Sequence, residues 1–391
     1  MTAPTHARLE ALVQRASQRV ASGAPPRVAL VWPCDALAHE AAAAMAAAGI
    51  ATPVLVGPAA RIGTTPFEVV STPEGPDGPA EAARAAMAMA RDGRVAAVMK
   101  GALHTETLMA AVVARETGLR GTRRISHAFV FDLPRYPKLL ALADCAVNIA
   151  PDLNTKHDIL ANALDLLRAL GITQPKAAIV TAVETVNPAI PATLDAQALV
   201  QRAMQEQGQG AFGNALIEGP FGFDNAYSAE AARIKGLRSL VAGDVDLMLM
   251  PDLNAGNMLY KSFVYAAGGD CAGLVLGTSV PVVLTSRADS LQARMASVAL
   301  AVLTTPWAPA PPPLHQRPPK SGVAPTRQRR LPWPPPFPST TPARRNCRVP
   351  RPRSRPPPAT CALAAAASAC ICARVKRAPR CATSRATPST R

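Results

Sequence analysis

Short apolar runs alternate with helix-like segments through most of this chain, from residue 27 to residue 304. Arg27–Trp32 and Val95–Met99 have the length and composition of buried strands. Ala36–Ala48 and Asp158–Leu170 have apolar residues at helical spacing. Regular alternation of this kind is typical of an α/β fold with a mostly parallel sheet. We therefore predict doubly wound α/β structure for this region.

The region is long enough for two units, each with its own core. We predict a first α/β domain over residues 1–149 and 280–304, and a second over residues 150–279. A strand at Val280–Thr285 and a helix at Ser290–Leu303 are expected to return the chain to the first domain. A further strand is predicted at Cys145–Asn148, close to the domain boundary.

Residues 305–391 differ abruptly in composition from the rest. They contain 17 Lys and Arg, no Asp or Glu, and 21 of the 40 prolines. Such a sequence buries too little apolar surface to offset the entropy lost on ordering, so we predict a disordered Pro/Arg-rich tail. We hypothesise that an out-of-frame reading of GC-rich DNA produced it, which resequencing of the coding region tests. A genuine basic tail is the alternative.

The net charge of +16 arises entirely in this tail, because residues 1–304 contain 25 basic and 26 acidic side chains. Nucleic-acid binding is therefore expected only through the tail, and a protein acting in that way is one alternative function. No apolar stretch reaches the roughly 20 residues of a membrane span. Cys34, Cys145 and Cys271 are widely spaced, which favours reduced thiols and a cytoplasmic location.

A glycine-rich run argues against one class of enzyme. Gly208–Gly213 matches G-x-G-x-x-G, but it follows a predicted helix and precedes the predicted strand Ala215–Glu218. A dinucleotide site needs the opposite order, with the glycines between a strand and the helix that binds the pyrophosphate. An NAD- and metal-dependent decarboxylating dehydrogenase remains an alternative, although Asp244 and Asp246 are isolated as metal ligands. We expect no metal site.

Polar residues follow one apolar strand at the point where a helix is predicted to begin. They are Asn254 and Asn257, with Gly256 between them. Lys261 lies one turn after Asn257 on the same helix face. Open α/β sheets bind ligands where strands end, and a helix N-terminus favours anions. These four residues are candidate ligands for phosphate or a phosphorylated substrate, although an ordinary capped helix has the same pattern.

A second strand end has the same character. The strand predicted at Val280–Thr285 runs into Ser286, Arg287, Asp289 and Ser290, and a helix follows. A guanidinium at this place can bind a phosphate through two parallel hydrogen bonds. Asp289 or Ser290 can instead serve as the N-cap of the helix.

With these features in view, the chain resembles the phosphate acetyl/butyryltransferase family, in particular its butyryltransferase-like branch. The resemblance lies in AGN-x-x-YK and TSRADS, and extends to VMKG (98–101), ISHAFVFD (125–132), VNIAPDL (147–153) and EGPFGFDN (218–225). The chain is also similar to the transferase part of bifunctional enoyl-CoA hydratase/phosphate acetyltransferases. The resemblance implies an isocitrate-dehydrogenase-like architecture, with two α/β domains and a cleft between them.

The implied reaction is acyl-CoA + phosphate ⇌ acyl phosphate + CoA, with acetyl or butyryl as the acyl group. Coenzyme A is then a substrate, and no metal or prosthetic group is required. The resemblance places Arg287 at the phosphate and Ser286 at the acyl carbonyl, as oxyanion donor. It also implies a homo-oligomer, a dimer or larger.

The sequence departs from the family in two places. The family's thiol base is an aspartate a few residues into the last helix, where this chain has Leu291–Ala293, so Asp289 becomes the candidate base. The helix after VMKG lacks the family's phosphate-binding arginine, and Lys100 is the candidate replacement. Thr105 is predicted to cap that helix and is included among the substrate-binding residues.

Overall fold

An eleven-stranded mixed sheet organises this protein in a computed structural model, which describes residues 6–21, 23–206, 208–285 and 289–305. The strands, in chain order, are β1 (Arg27–Val31), β2 (Thr52–Gly57), β3 (Glu68–Ser71), β4 (Ala97–Lys100), β5 (Ser126–Asp132), β6 (Leu140–Ala143), β7 (Lys176–Val180), β8 (Leu216–Phe221), β9 (Leu247–Leu249), β10 (Asp270–Leu276) and β11 (Val282–Val283). Across the sheet they follow the order β3-β2-β1-β4-β11-β10-β5-β6-β9-β7-β8.

The helices of the described residues connect these strands and cover both faces of the sheet. They are α1 (Ala7–Val20), α2 (Ala36–Ala47), α3 (Ala59–Ile62), α4 (Gly78–Arg91), α5 (Thr105–Val112), α6 (Leu153–Ala169), α7 (Pro191–Glu206), α8 (Phe223–Tyr227), α9 (Ala229–Ile234), α10 (Leu253–Tyr265) and α11 (Leu291–Thr304). None of them has the length and apolar character needed to cross a membrane.

The direction of the strands reverses in the middle of the sheet. Parallel pairs join β1, β2, β3, β4 and β11, and other parallel pairs join β6, β7, β8 and β9. Between these groups, β10 is antiparallel to both β11 and β5, and β5 is antiparallel to β6. The two parallel groups therefore point in opposite directions. We call the edge where β1, β4 and β11 end the first edge, and the edge where β6, β7 and β9 end the second edge.

The core is built around α11, because every residue from Ala293 to Leu303 is buried. A helix that is apolar on nearly all sides is stable only when it is covered on all sides. Small alanine side chains let α1, α2 and β10 approach α11 closely. The leucine face of α6 is buried in the same core, as the spacing of Leu160, Leu164 and Leu167 predicts.

The predicted strand at Cys145–Asn148 is wrong. The strand is β6, which ends at Ala143, and the next residues form a turn around the buried carboxylate of Asp144. Asp144 Oδ1 accepts hydrogen bonds from the amides of Ala146 (2.8 Å) and Val147 (3.0 Å), and Oδ2 accepts one from the side chain of Asn148 (2.7 Å). Local hydrogen bonds to an Asp side chain compete with a strand ladder.

Apart from Thr305, the predicted disordered tail lies outside the described residues.

Candidate functional site

The first edge brings together side chains from three strand ends. β1 and β4 pair in parallel through Val31 and Lys100, and β4 pairs with β11 through Met99 and Val283. The chain therefore leaves β4 at Lys100 and reaches Thr285, two residues after β11, at the same edge of the sheet. Parallel strand ends at one edge are where α/β sheets bind their ligands.

The glycine of VMKG is required by the close approach of β1. A Cβ on Gly101 would lie 2.4 Å from the carbonyl oxygen of Val31 and 2.8 Å from that of Trp32. The amide of Gly101 donates to the Val31 carbonyl at 2.9 Å. Trp32 itself has a positive φ of 55°, a strained conformation for a bulky residue. Strain of this kind is most common beside functional sites.

Two buried residues with cationic side chains contact Thr285, Arg294 through its guanidinium and Lys100 through its backbone carbonyl oxygen. The Lys100 ammonium donates to the Gly101 carbonyl oxygen at 3.3 Å. The side chains of Lys100 and Arg294 belong to residues that are each 4% exposed, and Thr285 is 3% exposed. Arg294 Nη1 donates to Thr285 Oγ1 at 3.4 Å, and the Thr285 hydroxyl donates to the Lys100 carbonyl oxygen at 3.5 Å. We call Lys100, Thr285 and Arg294 the cation cluster. Burying two positive charges is costly unless anions lie near them.

Burial is the main cause that lowers the pKa of Arg294, while the negative charges of Asp289 and Asp35 raise it in part. Asp35 caps α2 by accepting a hydrogen bond from the Ala38 amide at 2.8 Å. The cation cluster therefore lies in a site where negative charge is favoured. Sequence patterns missed Arg294, because it lies inside an alanine-rich helix where an arginine is usually solvent-exposed.

The segment that follows Thr285 in the sequence contains the predicted catalytic residues. Ser286 and Arg287 lie outside the described residues, and Asp289 is the first described residue after them. Ser290, not Asp289, caps α11, because its hydroxyl accepts a hydrogen bond from the Ala293 amide at 2.9 Å. The same hydroxyl donates to Asp270 Oδ2 at 2.8 Å, which joins the start of α11 to the start of β10.

Asp289, Tyr260 and Cys271 are among the residues that line a cavity of about 310 Å³. Burial raises the pKa of the Tyr260 hydroxyl, and the negative charge of Asp289 raises it further. The same two causes raise the pKa of the Cys271 thiol. Both groups therefore stay protonated at neutral pH, and Tyr260 is available as a hydrogen-bond donor beside Asp289.

The structure separates the predicted residues of α10 into two groups. Asp252 caps this helix at the second edge, where β9 ends, by accepting from the Ala255 amide at 3.0 Å. Asn254, Gly256 and Asn257 therefore lie at the second edge, opposite Thr285. Lys261 lies further along α10, toward the first edge, and is exposed.

Packing accounts for two of the residues at the start of α10. A Cβ on Gly256 would lie 2.4 Å from the Asp144 carbonyl oxygen, so the glycine lets α10 approach the turn after β6. Asn257 Nδ2 donates to the Cys145 carbonyl oxygen at 3.1 Å. Asn254 is exposed at the same helix start.

The predicted cap of α5 is also corrected. His104 is the N-cap, without a side-chain hydrogen bond, and Thr105 is the first helical residue. The helix ends at Val112. Thr105 follows Gly101 by four residues in the sequence, and so it begins α5 soon after the chain leaves β4.

The residues that favoured a dehydrogenase have other roles. Gly208 and Gly213 have positive φ values of 81° and 53° in the turn between α7 and β8, which is the reverse of a dinucleotide-binding context. Lys138 Nζ lies 2.8 Å from Asp244 Oδ1 and 2.7 Å from Asp246 Oδ1, so both carboxylates form ion pairs. Within the described residues, no group of three or more His, Cys, Asp and Glu is placed to hold a metal ion.

A large α/β sheet with buried cations at the ends of its parallel strands is the architecture of an enzyme that binds an anionic small molecule. Comparison with known proteins gives the family. The model for "Phosphate acetyl/butaryl transferase" matches residues 79–302. This chain belongs to the phosphate acetyl/butyryltransferase family, which is a family of acyltransferases.

Relatives named as phosphate acetyltransferases and relatives named as phosphate butyryltransferases are both similar to this chain. A phosphate acetyltransferase from Rhizobium meliloti is 48% identical over 289 residues, which are 72% of this chain and 89% of that protein. A phosphate butyryltransferase from Clostridium acetobutylicum is 40% identical over 264 residues, which are 65% of this chain and 85% of that protein. These comparisons do not favour the dehydrogenase or the nucleic-acid-binding alternative.

Solved structures agree in fold. A branched-chain phosphotransacylase from Enterococcus faecalis has a TM-score of 0.65 at 27% identity, covering 71% of this chain and 98% of that one. A phosphotransacetylase from Staphylococcus aureus has a TM-score of 0.61 at 20% identity, covering 75% and 98%. The mixed α/β fold with its large sheet is therefore that of phosphotransacylases.

Proposed function

We propose that this protein transfers an acyl group of the acetyl or butyryl class between coenzyme A and inorganic phosphate. The observation that carries the proposal is the cation cluster, in which Lys100 and Arg294 are buried beside Thr285. Phosphate is doubly or singly charged at neutral pH, and buried cations at a strand end suit such an anion. Membership of the phosphate acetyl/butyryltransferase family supports the same substrates.

In this reaction a phosphate oxygen attacks the thioester carbonyl carbon and forms a C–O bond. The carbonyl oxygen becomes an oxyanion, and its collapse breaks the C–S bond and releases the CoA thiolate. Arg287 is proposed to hold the phosphate, and Ser286 to donate a hydrogen bond to the oxyanion. Donors placed where negative charge develops are the usual main source of rate acceleration.

Asp289 is the proposed proton acceptor for the CoA thiol in the reverse direction. Its place beside Tyr260 and Cys271 in a small cavity supports this role, because Tyr260 can orient the carboxylate or the thioester while it remains protonated. Arg294 directly follows Leu291–Ala293, where the family's carboxylate is missing. The proposal therefore assigns Asp289 to proton transfer and Arg294 to phosphate binding.

Lys100 is proposed to supply the phosphate-binding charge that α5 lacks. Thr105 and Lys261 are proposed to contact phosphate or CoA from α5 and from the later part of α10. Asn254, Gly256 and Asn257 remain predictions as ligand contacts, and Gly256 and Asn257 also have packing and hydrogen-bonding roles at the second edge. No metal or prosthetic group takes part in the proposed reaction.

The finer architecture is also part of the proposal. Residues 1–149 with 280–304, and residues 150–279, are proposed as two domains of an isocitrate-dehydrogenase-like enzyme with a cleft between them. The two ends of the sheet support this division, because β1 to β4 and β11 lie at one end and β7 to β9 at the other. In the middle of the sheet the two proposed domains interleave, since β10 lies between β11 and β5. Assembly into a homo-oligomer and location in the cytoplasm stay predictions.

The decisive experiment incubates the full chain with phosphate and a panel of acetyl-, propionyl- and butyryl-CoA while released thiol is followed. We expect phosphate-dependent thiol release and acyl phosphate formation in equal amounts. Arg287→Ala is expected to remove most of this activity while the protein remains folded. Near-wild-type turnover by a folded Arg287→Ala protein contradicts the role of Arg287, and no turnover with any of the three thioesters contradicts the proposed function.

A further inference from the structure

A second cavity, of about 870 Å³, opens at the second edge of the sheet, where α5 ends and α6 begins. Its walls come from the segment before β5, the turn after β6 and the first turns of α6. We call it the arginine groove, because Arg120, Arg123, Arg124 and Arg202 line it. Acyl transfer at the first edge uses none of these residues.

The groove carries an excess of positive charge. Its lining contains four arginines and only two acids, Asp152 and Asp158. Asp152 caps α6 by accepting from the Thr155 amide at 2.7 Å, and Asp158 accepts from the backbone amide of Arg124 at 2.9 Å. Among the described ion pairs, neither acid is joined to a groove arginine, and Arg123 pairs with Asp165, which lies outside the groove lining. The positive end of α6, a helix of 17 residues, adds to the field.

Two of the arginines are held in place by neutral amide oxygens, which position a guanidinium without cancelling its charge. Arg124 Nε donates to Asn148 Oδ1 at 3.3 Å, and Arg202 donates to Asn154 Oδ1 at 3.1 Å from two nitrogens. Asn148 is 6% exposed and is itself fixed, because its Nδ2 donates to Asp144 Oδ2 at 2.7 Å and to the Ile125 carbonyl oxygen at 3.0 Å. A buried residue that orients a charged side chain is typical of a preorganised binding site.

One wall of the groove is apolar, and it is formed by Val113, Ile125 and Val147. A cavity of this size accommodates a ligand as large as a nucleotide. We infer that the arginine groove binds a nucleoside polyphosphate, with the base against the apolar wall and the phosphates between the arginines. Guanidinium groups bind phosphate oxygens in pairs, which suits a ligand with several phosphates.

The groove is separate from the proposed catalytic edge. β5 spans the sheet between the two edges, and seven residues of strand measure roughly 23 Å. The groove also accounts for two of the segments that carry the family resemblance. ISHAFVFD begins at Ile125 and VNIAPDL begins at Val147, and both segments contribute to its lining.

The test measures ATP binding to the full chain by isothermal titration calorimetry. The groove variant is Arg124→Gln/Arg202→Gln, and the matched control is Arg84→Gln/Arg233→Gln, whose arginines form exposed pairs with Glu81 and Glu230. The basic tail is the same in every protein, so it cannot account for a difference between them. We expect the Kd for ATP to rise about tenfold or more in the groove variant and to stay unchanged in the control, because charge-assisted hydrogen bonds are lost only in the former.

The inference is overturned if ATP shows no saturable binding up to millimolar concentrations, or if the groove variant and the control bind it equally. If the groove variant does not fold, as judged by circular dichroism, Arg120→Gln/Arg202→Gln replaces it and leaves the contact between Arg124 and Asn148 intact. Transferase activity is measured on the same wild-type samples. Activity without ATP binding overturns this inference alone, and ATP binding without activity overturns the proposed function alone.

Discussion

Replacing Arg294 by glutamine tests the cation cluster directly. The guanidinium is buried at the first edge, and its Nη1 lies 3.4 Å from the Thr285 hydroxyl. A hydrogen bond from a charged donor to phosphate contributes about 1.5–3 kcal/mol. Since 1.4 kcal/mol is about a factor of ten, KM for phosphate should rise roughly 10- to 150-fold. KM for acyl-CoA should change by less than about a factor of three.

The assay measures steady-state thiol release, first with phosphate varied at saturating acyl-CoA and then with acyl-CoA varied at saturating phosphate. Arg294→Lys keeps the charge and should recover part of the phosphate affinity, whereas a purely structural role gives no reason for such rescue. Arg233→Gln, at an exposed site on α9, is the control and should leave both constants unchanged. An unchanged KM for phosphate in a folded Arg294→Gln protein refutes the reasoning, and so does an equal rise in both constants.

Two further predictions concern the buried pair beside β6. Asp144→Ala should lower the free energy of unfolding by about 3–5 kcal/mol, because several amides lose the carboxylate that accepts from them. Burial lowers the pKa of His127 from 6.5 to about 4, against the raising effect of Asp144. Between these values the unfolded chain binds more protons, so stability falls as pH is lowered, by about 2 kcal/mol at pH 5. His127→Leu should remove that part of the pH dependence.

Urea unfolding followed by circular dichroism measures both effects, at pH 7 for Asp144→Ala and at pH 7 and 5 for the His127 comparison. Asp152→Ala is the control for the first, since it removes only a helix cap worth about 1 kcal/mol. Equal losses in Asp144→Ala and Asp152→Ala contradict the first prediction. For the second, wild type and His127→Leu with the same loss of stability between pH 7 and pH 5 disprove the reasoning.

Local patterns predicted most of the helices and strands at the first edge. The apolar runs at β1 and β4 are confirmed, as are α2 and the Ser290-capped α11. These elements follow from side-chain periodicity and caps, which act over a few residues. The strand predicted at Cys145–Asn148 failed because the competing interaction was a single side chain. Asp144 binds the following amides, and the apolar pattern does not reveal this.

The sequence by itself determined the α/β class, the family and the segments where substrates are expected to bind. It did so because strand ends, helix starts and the TSRADS segment are local features. Only the tertiary structure decided that the start of α10 lies at the edge opposite Thr285. That outcome depends on the antiparallel pairing of β10 with β5 and β11, between strands that are distant in sequence.

Burial was likewise decided only by tertiary structure. Arg294 is buried because α11 is covered on all sides, and Lys100 is buried because β4 lies within the sheet. Neither residue is marked as buried by its own neighbours in sequence. The four arginines of the groove meet for the same reason, since Arg202 on α7 approaches Arg124 only after α6 and α7 pack on the sheet. Charge at a site depends on which chain segments meet there, and that is set by packing over long sequence distances.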